Sequence, residues 1–182
     1  MPRTSLLIGA LVIQVAVVTV MLVSAVMPLW TGSDVVIVAR PVDPRDLMRG
    51  DYVALDYDID HVRIDTIKTD LVPGDHVRYG DVLYVTLQPN DSSVTATGIY
   101  RAEPSSGFFL KGRCTDPETI TENTGARASM IHMNYGINEY YTDPETAQRL
   151  DRTLQRSKGL PIHIMIDSHG NARIRQLGTD SN

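Results

Sequence analysis

The stretch LLIGALVIQVAVVTVMLVSAVMPLW, residues 6–30, decides how the rest of the chain is read. It holds no charged side chain, and its polar exceptions, Gln14, Thr19 and Ser24, are isolated. At about 1.5 Å of helical rise per residue it outruns the roughly 30 Å hydrocarbon core of a bilayer. A buried soluble helix this apolar would need apolar neighbours all round, and no second such run follows. Trp30 stands where an interfacial aromatic belongs, and Gly32 and Asp34 close the segment. The expectation is a transmembrane anchor within residues 1–31 and one folded domain over residues 32–182.

A cleaved signal peptide is the rival reading. Arg3 supplies a basic start, and Val23-Ser24-Ala25 offers small residues for cleavage. The apolar run is longer than the usual core of about 7–15 residues, and it continues past the site through Val26, Met27, Leu29 and Trp30. Retention is the preferred reading. Arg3 precedes the helix, while Asp34, Arg40, Asp43, Arg45 and Asp46 mix signs after it. The positive-inside rule then places the N-terminus in the cytoplasm and the domain outside the plasma (inner) membrane.

Composition narrows the partners. With 42% hydrophobic and 21% charged residues the chain fits a globular class. The part beyond the helix carries all 22 acidic and 16 of the 17 basic residues, a net charge near −6. Nucleic acid, whose phosphates call for a basic surface, is disfavoured. No polybasic run flanks the helix in sequence to hold anionic lipid. Cys114 is the only cysteine, which excludes an intramolecular disulfide, so the fold must rest on its core.

Past Trp30 the pattern is strands and turns. Val35–Arg40 is β-branched and stops at Pro41. Asp51–Asp60 alternates strictly, with Val53, Leu55, Tyr57 and Ile59 on one face and Ala54, Asp56, Asp58 and Asp60 on the other, predicted wet, face. Pro73-Gly74-Asp75 and Tyr79-Gly80-Asp81 read as turns. Asp81–Gln88 and Ser93–Arg101 form a hairpin candidate, and Gly107–Cys114 and Ser129–Tyr135 are further strands. Ile162, Ile164 and Ile166, the Ser168–Asn171 turn and Ala172–Leu177 make a terminal hairpin. Thr142-Asp-Pro-Glu145 is a capping box for one helix, with Ala147, Leu150 and Leu154 on its apolar face and Gly159 at its end. The fold expected is mainly β with one packed helix.

Residues 41–57, PVDPRDLMRGDYVALDY, resemble the signature of the bacterial GDYXXLXY family of membrane-anchored proteins. The named letters fall on Gly50, Asp51, Tyr52, Leu55 and Tyr57. Phe109-Leu-Lys-Gly-Arg113, Tyr135-Gly-Ile137 leading to Tyr141, and the terminal hairpin are similar too. Where the family commonly has a glutamate after Tyr-Gly-Ile, this chain has Asn138, with Glu139 next. The stretch after Tyr141 also departs from the family's glycine-rich Pro-Glu-Gly pattern. The resemblance implies a membrane-anchored protein with no established activity, often encoded beside multi-pass membrane proteins.

Candidate chemistry is thin. Asp43, Arg45, Arg49, Gly50, Asp51 and Tyr52 can form a polar binding turn, with Leu55 and Tyr57 following. They can equally be architectural, glycine permitting the turn and Asp51 satisfying its amides. Tyr135, Tyr140 and Tyr141 can make a contact surface or simply be strand residues. Pro44-x-x-Leu47-x-x-Gly50-Asp51 is similar to a run in type I signal peptidases. Residues 39–43 hold no hydroxyl or thiol to act as nucleophile, so at most a shared β scaffold is implied. The five histidines lack metal-ligand spacing, and Asp56-x-Asp58-x-Asp60 lacks the glycine and closing glutamate of a calcium loop. Cys114 reads as a small core residue.

No cofactor is expected. The leading reading is a non-enzymatic, membrane-anchored module that binds a multi-pass membrane protein. The alternative is a degenerate or unconventional hydrolase on a signal-peptidase-like scaffold. If the anchor is retained, the intact mass of the membrane-extracted protein includes residues 6–30 and alkaline carbonate leaves it in the membrane. A mature form beginning at Val26 would show cleavage instead.

Overall fold

The computed structural model describes residues 3–41, 52–90, 93–120, 129–141, 145 and 159–178. Helix α1 spans Arg3–Thr31. Its apolar side chains face outward along the whole length, from Leu7 at 70% exposed to Trp30 at 78%. Such a surface is stable only in an apolar solvent. The hydroxyls inside it bond to their own helix, Thr19 to the Val15 carbonyl and Ser24 to that of Met21. These two hydroxyls are thereby not left bare in lipid.

Gly32 alone separates α1 from strand β1 (Ser33–Pro41). Strand β2 (Tyr52–Tyr57) runs into a 3-10 turn at Asp58–Asp60, then β3 (His61–Arg63), β4 (Lys68–Thr69) and β5 (His76–Val77). The hairpin strands β6 (Val82–Pro89) and β7 (Val94–Tyr100) precede β8 (Phe108–Cys114) and β9 (Glu118–Thr119). Strands β10 (Met130–Asn134), β11 (Glu139–Tyr141), β12 (Leu160–Ile166) and β13 (Ala172–Leu177) complete the order. One sheet has the order β11-β2-β1-β12-β13 and the second β3-β10-β8-β6-β7-β4, with β5 and β9 a separate pair. The described pairings are antiparallel except β4 with β7.

Alternation explains the layering. Val35, Ile37 and Ala39 of β1 and Ile162 and Ile164 of β12 point inward, where they meet Leu83, Val85 and Leu110 of the second sheet in one core. Thus the strand that leaves the membrane is also the central strand of its sheet. The two expected glycine turns are built alike. Asp75 N–H donates to the Val72 carbonyl and Asp81 N–H to that of Arg78. In return, the Asp75 and Asp81 carboxylates accept from the Val72 and Arg78 amides. Gly74 and Gly80 supply the positive φ that such a turn needs at its third residue.

One expectation fails at Asp60. Strict alternation puts it on the wet face, yet it is buried. The strand ends at Tyr57, and the 3-10 turn after it breaks the period of two and swings Asp60 inward. Asp56 and Asp58 keep their outward places; Asp58 pairs with Arg40 at 2.7 Å. The row of carboxylates therefore keeps Asp56 and Asp58 at the surface and loses Asp60 to the interior. The helix expected after Thr142 lies outside the described residues, apart from Glu145, which is helical.

Ile37, in the middle of the central strand, is 2% exposed. Ile37→Ala is expected to cost about 2–5 kcal/mol, the range for emptying a buried aliphatic site. Thr95→Ala on exposed β7 should stay within about 0.5 kcal/mol. Urea unfolding of the micelle-solubilised chain reads both.

Candidate functional site

Of the signature residues, Asp43, Arg45, Arg49, Gly50 and Asp51 lie outside the described residues. Tyr52 opens β2 opposite Tyr141 of β11. Leu55 and Tyr57 point into the core, 3% and 1% exposed. Leu55 and Tyr57 of the signature are thus inside the domain.

Tyr57 and Tyr135 are tied to each other's surroundings in a crossed arrangement. The Tyr57 hydroxyl donates to the Ile137 carbonyl at 2.8 Å. The Tyr135 hydroxyl donates to the Ile59 carbonyl at 2.7 Å. Each bond joins the end of β2, or the 3-10 turn after it, to the loop between β10 and β11, so together they clasp the two connections that pass from one sheet to the other. Asn138 adds three bonds. Its carbonyl accepts from Leu55 N–H at 2.8 Å, its amide oxygen accepts from Tyr135 N–H at 3.3 Å, and its amide nitrogen donates to Asp60 at 2.6 Å. That same Asp60 oxygen, Oδ2, accepts from Tyr57 N–H at 3.0 Å.

Asp60 Oδ1 has no hydrogen-bond partner among the described residues. Burial pushes the Asp60 carboxyl up to about 8, the nearby Asp56 charge adds to it, and the bonds from Tyr57 and Asn138 oppose the rise. At neutral pH the group is mostly neutral, which avoids an unpaired buried charge. Burial, then Asp60, also raises the phenols of Tyr57 and Tyr135, so both stay hydrogen-bond donors.

Of the three tyrosines considered as a contact surface, Tyr135 is a core residue, Tyr140 is half-buried and Tyr141 is exposed. The Tyr141 hydroxyl donates to the Glu139 carboxylate beside it.

Beside the crossed tyrosines lies an open groove of about 530 Å³. Tyr79, Lys111, Arg113, Asn134, Gly136 and Asn171 contribute to its wall. Two cations line it on a domain of net negative charge, and the Arg113 guanidinium donates to the Gly80 carbonyl at 3.1 Å. Gly112 is at its base, where a Cβ would come within 2.8 Å of Met133 and Tyr135. The signal for the groove was present in the sequence as the Phe109–Arg113 and Tyr135–Ile137 blocks, but their convergence was not. Elsewhere, His61 and His132 sit opposite each other on β3 and β10 with their Nδ1 atoms 3.2 Å apart. The other nitrogen of His61 meets Asp56 at 2.9 Å. No group of three or more histidine, cysteine, aspartate or glutamate side chains arranged for a metal occurs among the described residues. Cys114 is buried, burial raises its thiol, and the thiol donates to the Asp116 carbonyl.

The sequence profile of the GDYXXLXY protein family matches residues 14–177, from inside α1 to the last strand. The chain belongs to the GDYXXLXY family. Nothing matches among curated proteins or among solved structures. In GDYXXLXY terms, the crossed pair consists of the last tyrosine of the signature and the tyrosine of the Tyr-Gly-Ile block.

Asp60 gives a pH signature. Its carboxyl binds its proton more tightly folded than unfolded, so the folded state holds more protons between the ordinary value near 3.8 and about 8. Stability should fall as pH rises through that window and level off above it. Asp60→Asn, which cannot ionise, should flatten this slope in thermal unfolding across pH 5–9. A slope unchanged in the variant would locate the effect elsewhere.

Proposed function

We propose that this protein is a non-enzymatic membrane module whose β domain stands on the extracytoplasmic face and assembles with a multi-pass protein of the same membrane. The observation that carries this reading is the junction at Gly32. A helix long and apolar enough to cross a bilayer passes, within one residue, into the central strand of a sheet. There is no slack to let the domain sample the space above the membrane. Its height and rotation are set by the anchor, an arrangement suited to meeting another membrane-fixed surface rather than to reaching a soluble one.

The basic start at Arg3 supports the outward orientation through the positive-inside rule. The family's frequent placement beside multi-pass membrane proteins supports the choice of partner. The groove by Tyr135 offers a concave, partly cationic face for a segment of that partner. The hydrolase alternative rests on the Leu47-x-x-Gly50-Asp51 run and would need peptide cleavage abolished by Asp51→Ala in a folded protein.

Affinity purification from mildly solubilised membranes, at native abundance, should co-recover a multi-pass protein in defined stoichiometry. Inserting 12 Gly/Ser residues after Thr31 adds a flexible reach on the order of 20 Å and should abolish the co-recovery while leaving the domain folded. Recovery of the chain alone would overturn the proposal, and undiminished recovery with the insertion would remove the argument from rigidity.

A further inference from the structure

Strand register fixes which end of the domain faces the bilayer. Ser33, the first residue of β1, pairs with Ile166, the last of β12. Strand β12 runs back toward the anchor, so the turn at residues 167–171 lies on the anchor side of the junction. Strand β13 starts there, at the edge of its sheet, and Arg173 is its second residue. The exposed Arg173 side chain reaches the anchor itself: Nε donates to the Ala25 carbonyl at 3.4 Å. Ala25 lies six residues before the end of α1, about 9 Å down the helix axis. It also falls inside the apolar window Leu7–Met27. A guanidinium held at that level lies at the edge of the hydrocarbon, just below the lipid headgroups.

The acidic groups around it already have partners of their own. Arg175 and His163 both meet Asp34, at 3.2 and 3.0 Å. His169 meets Glu103 at 3.2 Å. The Asp167 carboxylate caps its own turn, accepting from the His169 and Asn171 amides at 2.9 Å each. Arg173 differs. Its acceptors among the described residues are the main-chain carbonyls of Ala25 and Ala172, which bear no formal charge. A guanidinium at the edge of the hydrocarbon with no anion beside it among the described residues is costly, and its planar fork of five donors fits a phosphate.

We propose that Arg173 is a seat for the phosphodiester of a membrane phospholipid, which completes the contact between the domain edge and the bilayer. The seat is one guanidinium whose acidic neighbours already have partners, not a polybasic patch. It therefore recognises the phosphodiester whatever the net charge of the headgroup. Occupied, it pins β13 to the surface at a second point beside α1 and resists rotation of the domain about its anchor. The inference rests on α1 being a retained anchor, the basis of the proposed function.

The test uses the full-length chain with arginine labelled at Cζ, reconstituted in bilayers of phosphatidylethanolamine, alone and mixed with phosphatidylglycerol. Solid-state NMR reads the dephasing of Cζ signals by ³¹P. Subtracting the R173Q spectrum cancels every other arginine. A ³¹P-dephased Cζ signal present in the wild type and lost in R173Q is expected in both lipids. R173K, which keeps the charge but has no guanidinium, should show the same loss. No such signal is expected in maltoside micelles containing inorganic phosphate; equal dephasing there would make the site one for a soluble anion and overturn the lipid assignment. Dephasing that persists in both variants, or is absent from a wild type that resists carbonate extraction, would overturn the inference alone. Release by carbonate would overturn the anchor reading beneath it.

Discussion

Two hydroxyl groups hold this domain in register with itself. Tyr57 donates to Ile137 O, and Tyr135 donates to Ile59 O, each tyrosine gripping the main chain next to the other. The sheets they join share an apolar core, but apolar contact is non-directional and tolerates sliding. Buried hydrogen bonds do not. Each contributes about 1 kcal/mol net when made, while stranding a buried carbonyl costs about 1–3 kcal/mol. Specificity of docking, more than total stability, comes from this pair. Asn138 and Asp60 close the network, and the neutral state of the Asp60 carboxyl is what makes its burial tolerable.

The same frame carries the anchor. Because β1 is both the first strand after α1 and the centre of its sheet, motion of the helix is transmitted into the core rather than absorbed by a linker. The antiparallel return of β12 then brings the last hairpin alongside the outer turns of the helix, with contact between Arg173 and Ala25. The crossed tyrosines fix the second sheet, with its groove, relative to the first. From bilayer to groove the path runs through packed strands and hydrogen bonds, so the groove's position above the membrane is set by the fold.

Much of this was legible in the residues. The anchor follows from length and lack of charge. The hairpin at β6 and β7, the terminal hairpin and the inward faces of β2 and β12 follow from a period of two. Asp60 departs from the alternation because it lies three residues past the point where the strand becomes a 3-10 turn, a change that no local pattern announces. Asn138 looked like a mere departure from a family pattern. Its bond to Asp60 spans 78 residues of sequence, and one-dimensional spacing holds no trace of it. No basic cluster flanks the helix in sequence, yet strand register carries Arg173 from the far end of the chain to the helix. The aromatic run Tyr135, Tyr140 and Tyr141 splits three ways in burial because a turn at Gly136 separates Tyr135 from the other two, and strand alternation in β11 separates Tyr140 from Tyr141.

The central claim is that the last signature tyrosine and Tyr135 act as one lock between two sheets. A double-mutant cycle on the full chain in micelles, with Tyr57→Phe and Tyr135→Phe, measures it most directly. Each single change should cost about 1–3 kcal/mol, and the double should cost less than their sum by at least about 0.5 kcal/mol, because breaking either bond already loosens the junction that the other holds. Two small and strictly additive losses would contradict the account and leave the hydroxyls as incidental to how the sheets dock.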